Sequence, residues 1–401
     1  MLDGHGPAAL AFVRSLGRAG HWVGVGISKG GQPYASRSRF CRRSVTYPSA
    51  LEGVWAFVEA VATVAKEESI DLILPMSDAT TWPLAQNANS FSGWTTLGVP
   101  DPRVVERSSD KLWAVSMAAE LGIPAPPTAH VHSCDELAPT RDWGFPLVVK
   151  DRCSIRWSGD GGFPGTVRFA GSWDELITLV ESRLARVGDV LVQKFTPGIG
   201  LGFAALVVEG GIRLPFQWQR LREKDPRGSG SSARCSIPID SRVEEFSSRL
   251  LDRSGFRGIA MVEFKQNPRT GALSLMEING RPWGSMQLPI YCGLDYPLIL
   301  VDWLLEAKKP REHVAYRIGI TARWLAADLV HLENLRHGPP PGWPAPYPPF
   351  WKNVLAVALP WYPGLKYDDF AAADFQPGLV DLGRWFRQRF SRIRPSSGGA
   401  L

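Results

Sequence analysis

The stretch MVEFKQNPRTGALSLMEINGRPWG, residues 261–284, restricts what this chain can fold into more than any other. Two runs rich in Val, Phe, Leu and Met flank the turn-prone NPRTG, so the segment reads as an antiparallel hairpin with Gly271 at its tip. Side chains alternate across a strand. Glu277 and Asn279 therefore share a face, and the hairpin brings Glu263 on the partner run beside them. Two acids in an apolar setting repel, and one stays protonated at neutral pH unless a cation neutralises the pair. Two carboxylates and an amide carbonyl suit a hard divalent ion such as magnesium, which keeps several waters and shares its sphere with substrate phosphates. The plain alternative is a surface hairpin with solvated acids. The apolar flanks weigh against it, as does Arg281, two residues past Asn279 and on the same face if the strand continues.

A Glu, then Glu-x-Asn fourteen positions on, then an Arg two further resembles the metal-binding end of the ATP-grasp ligases, and EINGRPWGS is similar to their carboxylate-amine ligase branch. The resemblance implies an α/β chain of the α+β ATP-grasp class. A small doubly wound parallel-sheet domain at 1–103 would precede an ATP-grasp domain at 104–306, with a small lobe at about 104–192 and a large lobe at about 193–306. A Trp- and Pro-rich C-terminal extension at 307–401 would follow.

Bulk properties agree with a soluble, multi-core chain of 401 residues, 44% hydrophobic and 21% charged. A net charge of +6 and a pI near 9.1 suit anionic ligands such as nucleotides. The basic residues are scattered and no nucleic-acid motif is present, so no nucleic-acid partner is expected. Cys41, Cys134, Cys153, Cys235 and Cys292 are odd in number and widely spaced, with no C-x-x-C pair and no secretory signal, which fits a reducing cytoplasm. No apolar run reaches the roughly 18 residues of a membrane-spanning helix.

At the start of the chain the pattern predicts a helix over 8–18, a strand over 22–27, a helix over 51–68 and the strand DLILPMSD, an alternation that belongs to a parallel sheet. Only Met1 and Leu2 represent the strand that ought to precede Asp3, so either the start codon is placed late or this sheet edge is abbreviated. Ser77 and Asp78 end a strand at a carboxyl edge, where ligands of such sheets lie. The helix predicted from Ser108 to the Gly122 and Pro124 stop has Lys111 in its first turn, against the helix dipole unless an anion is near. PLVVK closes a buried strand on Lys150, a charge that needs a partner such as phosphate.

What the resemblance adds is a set of roles. It implies that Lys111 and Lys150 contact nucleotide phosphates, and that Ser158, Gly159, Asp160, Gly161 and Gly162 form a mobile loop over them. Gln193, followed by Lys194 and Phe195, stands where relatives place an acid for the adenine amino group; an amide can still accept that bond. The Gly-rich PGIGLG replaces the acid that relatives often use for the ribose. Arg222 and Arg234 would face the acceptor and the γ-phosphate, and Arg281 would stabilise the transferred group. Glu263, Glu277 and Asn279 would hold magnesium, or manganese in its place. The implied activity is ATP-dependent joining of a small-molecule carboxylate to an amine, amino acids among them, through an acyl phosphate; the alternative is an ATP-binding scaffold or regulatory subunit without turnover. The Trp- and Arg-rich tail has the make-up of a membrane-surface contact or a partner-subunit cover, and more often of an arm packed over its own domain, with the last residues disordered. The oligomeric state is open, with a homodimer entertained.

Overall fold

The computed structural model describes residues 1–390, so the expectation for the final residues lies outside the described part. Helix α1 (Pro7–Arg18) begins on a proline, whose fixed φ suits a first turn, and buries Leu10, Phe12, Val13 and Leu16. Strand β1 (Gly24–Ser28) pairs in parallel with β2 (Arg43–Tyr47). After α2 (Val54–Glu67), strand β3 (Leu72–Ile73), helix α3 (Asp78–Gln86) and β4 (Thr96–Leu97) follow, with β3 and β4 parallel.

The expected doubly wound sheet is thus present as two parallel pairs, and residues 1–3 lie between them. The Met1 amino group donates to the Gly24 carbonyl at 2.9 Å, the Gly26 amide to Met1 at 2.7 Å and the Leu2 amide to Leu74 at 3.0 Å. DLILPMSD keeps two strand residues, because Pro75 lacks an N–H and Asp78 already starts α3. Buried Asp3, at φ +54°, accepts from the Met76 amide at 3.1 Å and the Thr80 hydroxyl at 2.5 Å, tying this junction together.

Helix α5 (Lys111–Glu120) is the helix predicted within Ser108–Pro124 from its Asp/Ser cap, and α4 (Pro102–Ser109) precedes it. Asp110 makes the break. Its extended backbone ends α4, and its carboxylate accepts the Leu112 amide at 2.9 Å to cap α5. The small lobe then comprises β5 (Thr128–Val131), β6 (Leu147–Lys150), the hairpin β7 (Ile155–Ser158) and β8 (Gly161–Pro164), β9 (Val167–Ala170), α6 (Trp173–Val187) and β10 (Val190–Lys194). Its antiparallel sheet runs β5-β10-β6-β9, and α6 packs Leu176 and Val180 onto Val149 and Val192.

The large sheet takes β11 (Ile199–Val208), β12 (Gly211–Glu223), β13 (Ser231–Ser236), β14 (Gly258–Gln266) and β15 (Leu273–Asn279), with α7 (Ser241–Ser254) between β13 and β14. Alternation along β11 sends Leu201, Phe203, Ala205 and Val207 into one core and Ala204, Leu206 and Val208 into another. Beyond α8 (Gln287–Cys292) and α9 (Tyr296–Glu306), the C-terminal extension supplies β16 (Thr321–Arg323), α10 (Leu325–Arg336), α11 (Phe350–Ala358), β17 (Leu365–Tyr367) and α12 (Gln376–Phe390). The completed order is β15-β14-β11-β12-β13-β16-β17. The arm packs on its own chain, as its composition most often implies. Among the described residues no helix is long and apolar enough to cross a membrane.

Candidate active site

In the β14–β15 hairpin Glu263 stands opposite Glu277 and Met261 opposite Asn279, with Gly271 at φ +69° in the turn. Asn279 donates its amide N–H to Glu277 Oε1 at 2.9 Å, which leaves its carbonyl oxygen as the remaining lone-pair donor. Burial pushes the Glu263 carboxyl up to about 7; Arg220 opposes that rise, and the neighbouring Glu277 adds to it. Among the described residues no three His, Cys, Asp or Glu side chains cluster as a ready metal cage. Two acids and an amide, one acid raised by burial although Arg220 pairs with it, fit an ion that completes its shell with water and phosphate oxygens.

Arg220 is the residue the sequence reading leaves unassigned. Its guanidinium lies 2.5 Å from Glu263, 3.0 Å from Glu223 and donates to the Ser229 carbonyl at 2.7 Å. To reach Glu263 from β12 it crosses β11 at Gly200, where a Cβ would lie 2.6 Å from the Arg220 Cδ. The glycine in PGIGLG is therefore the signal for this contact.

Lys150, at the end of β6, donates to Gln193 Oε1 at 2.6 Å, and Gln193 in turn donates to the Thr128 hydroxyl at 2.9 Å. Buried Gln193 thus orients the lysine. Burial lowers the Lys150 ammonium to about 8; Glu277 opposes this, and Lys111 and Lys265 add to it. Lys111 opens α5 and reaches the Ser154 hydroxyl at 3.4 Å. Lys111 and Ser154 line a cleft with Asp78, Thr81, Glu277 and Asn279. Lysines and acids that the sequence spreads over more than 160 positions, from 111 to 279, therefore converge. A wider cavity of about 420 Å³ lies between β1, β3 and α2; its walls, Val23, Val61, Leu72 and Leu305 among them, are chiefly aliphatic, and its charged residues include Arg43 and Glu68, which pair with each other at 3.3 Å.

The other candidate residues have definite partners. The loop of Ser158, Gly159, Asp160, Gly161 and Gly162 is the tip of the β7–β8 hairpin, docked on α2: Asp160 Oδ1 accepts the Trp55 amide at 3.0 Å and the Gly162 amide donates to Leu51 at 2.9 Å. Gly53 gives α2 no side-chain cap of its own, so Asp160 supplies one, and Trp157 stacks on Trp82 at 4.6 Å. Arg222 pairs with Asp328 of α10 at 2.8 Å, because β12 bulges between Arg220 and Arg222. Arg234 is buried against Asp368 at 2.5 Å. Arg281 lies 2.9 Å from Asp78 at the start of α3, so it links the hairpin to the N-terminal domain. Lys194 is exposed, one step out of phase with Gln193, and Phe195 turns toward Phe169 and Trp343.

Over 253 residues the chain is 25% identical to a probable alpha-L-glutamate ligase of Maridesulfovibrio salexigens, a match covering 61% of this chain and 79% of that one. In structure it is similar to the L-amino acid ligase from Bacillus licheniformis, at 16% identity and TM-score 0.59 over 77% of this chain and 73% of that one. Biotin carboxylase from Campylobacter jejuni superposes with TM-score 0.63 at 14% identity, over 80% of this chain and 73% of the other. N5-carboxyaminoimidazole synthetase from Staphylococcus aureus gives TM-score 0.60 at 12% identity, over 84% and 85%. No protein-family profile matches the chain. With its four-stranded antiparallel sheet and its larger sheet ending in the acidic hairpin, the chain has the ATP-grasp fold.

Proposed function

We propose that the protein is an ATP-dependent carboxylate-amine ligase that makes an amide through an acyl phosphate and releases ADP and phosphate. The observation that carries this reading is the facing of Glu263, Glu277 and Asn279 by Lys111 and Lys150 in one cleft region. Positioning and charge neutralisation are what phosphoryl transfer chiefly needs. Lys150, held by Gln193, and Lys111 bind the polyphosphate. Glu263, Glu277 and Asn279 would hold magnesium or manganese, which supplies positive charge against the phosphate oxygens. A substrate carboxylate oxygen attacks the γ-phosphorus, forming a C–O–P link as the bond to the ADP oxygen breaks. An amine nitrogen then attacks the acyl carbon, loses its proton, and phosphate departs. None of these steps needs a protein nucleophile.

The relatives' names, a glutamate ligase and an L-amino acid ligase, favour amino acids as the amine or the acid, in the cytoplasm where ATP is plentiful. Incubation with ATP, magnesium and pools of amino acids and small acids, followed by ADP measurement, tests this. Release that requires both an acid and an amine is the expected result. ATP binding with no release under any pool would make the protein a nucleotide-binding scaffold instead.

Lys150 gives the reading a pH signature. Its folded-state value of about 8 lies below the ordinary 10.5, so the free protein loses this charge above pH 8, while bound phosphate favours the protonated form. Affinity for ATP should weaken above that point by at most about tenfold per pH unit. Lys150→Arg should remove this limb, because a guanidinium stays charged. Calorimetric titration from pH 7 to pH 10 checks it; an unchanged limb in the Arg variant would assign the proton elsewhere.

A further inference from the structure

The C-terminal extension returns to the junction between the lobes through HGPPPGWPAPYPPF, a strap joining α10 to α11. Its seven prolines lack N–H donors and fix φ, so the strap is a semi-rigid spacer. Its root is tied to the large lobe: Asn334 donates to the Lys224 carbonyl at 2.7 Å. From the middle of the strap Trp343 packs on Phe195 with ring centroids 4.7 Å apart and on Phe169 at 5.9 Å, and those two phenyl rings are 6.1 Å apart. The three rings come from β9, from the linker after β10 and from the extension. All three are half-buried, and none belongs to a hydrophobic core of the protein. Cations flank them. Lys265 lies 5.2 Å over Phe195 and donates to the Thr196 carbonyl, and Arg227 lies 5.3 Å over Phe169.

This aromatic surface begins two residues past Gln193, the amide that aims Lys150. A triphosphate held by Lys150 would place its attached base within reach of these rings. At 4.7 Å, Phe195 and Trp343 touch each other and admit nothing between them, since a planar ring stacked on both faces needs about 7 Å, twice a contact of about 3.5 Å. A base held between these two rings would require the strap to move.

We propose that Trp343 is a nucleobase-contacting residue: the strap lifts to admit the purine of ATP beside Phe195, and the indole then stacks on the base. The inference rests on the ATP-binding reading above. The test measures binding of ATP and of inorganic tripolyphosphate, each with magnesium, to the full chain, to Trp343→Ala and to Trp343→Phe, with melting temperatures as a check of folding. Trp343→Ala should weaken ATP binding by about 5- to 100-fold, leave tripolyphosphate binding unchanged, and be largely rescued by Trp343→Phe. ATP binding by Trp343→Ala that is as tight as wild type or tighter would overturn the proposal, the strap being then a cover that competes with the base; so would equal losses for both ligands. A wild-type chain that binds neither ligand removes the ligase reading itself, whereas one that binds both equally well with and without Trp343 removes only this inference.

Discussion

Replacing Glu277 with Ala should reduce acid- and amine-dependent ADP release by about 10²- to 10³-fold, the scale of losing one charge-stabilising group in a preorganised site, and leave the fold intact. Glu277 is half-buried, at the cleft, and faces Glu263 across the hairpin. Its negative charge raises the Glu263 carboxyl and supports the Lys150 ammonium. The variant therefore relieves a repulsion inside the protein while taking away one of two acidic ligands for a cation. It also removes the support that Glu277 gives to Lys150, Arg220 and Arg281, so the melting temperature should shift little. The side chain removed is not part of a hydrophobic core, so no cavity term opposes this. ADP release and a thermal melt on the same sample decide the matter, and full activity in the variant would remove Glu277 from the site. Glu277→Gln, which keeps the shape and the bond to Asn279 but not the charge, should be impaired as well.

Features written in short-range patterns are legible in the amino-acid order itself. The hairpin is one, because two apolar runs around NPRTG leave few alternatives, and period-two alternation alone sets Glu277 beside Asn279. Lys111 and Lys150 are others, because a charge at a helix start or at the end of a buried strand needs an anion nearby. What is not legible depends on pairings across long stretches. Arg222 and Arg234 look equivalent to Arg220 along β12 and β13, yet a bulge after Arg220 breaks the alternation. Arg220 then crosses Gly200 to the acids, while the other two reach carboxylates 106 and 134 positions away. The docking of the glycine-rich hairpin on α2 is hidden for the same reason, since Asp160 caps a helix more than 100 residues before it.

Arg234 supplies the sharpest contrast between a site residue and a structural one. Arg234 and Asp368 are 1% and 3% exposed and lie 2.5 Å apart, joining β13 to the segment after β17. Removing one partner of such a pair strands the other, so Arg234→Met should cost about 3–5 kcal/mol of stability. The double variant Arg234→Met with Asp368→Leu should recover much of that loss, because two apolar side chains of similar bulk leave neither member of the pair stranded. Its pH dependence has a definite sign. Burial already raises the Asp368 carboxyl, with Arg234 pulling it down. Without the arginine the folded state holds that proton to still higher pH while the unfolded chain has released it, so stability falls as pH rises through this range. The deficit of Arg234→Met should therefore be larger at pH 8 than at pH 5, and denaturant melts at the two values read it directly. The folded fraction should keep its ADP-releasing activity per molecule. A variant that melts like wild type but has lost turnover would return Arg234 to the catalytic cleft and make Asp368 its positioning partner.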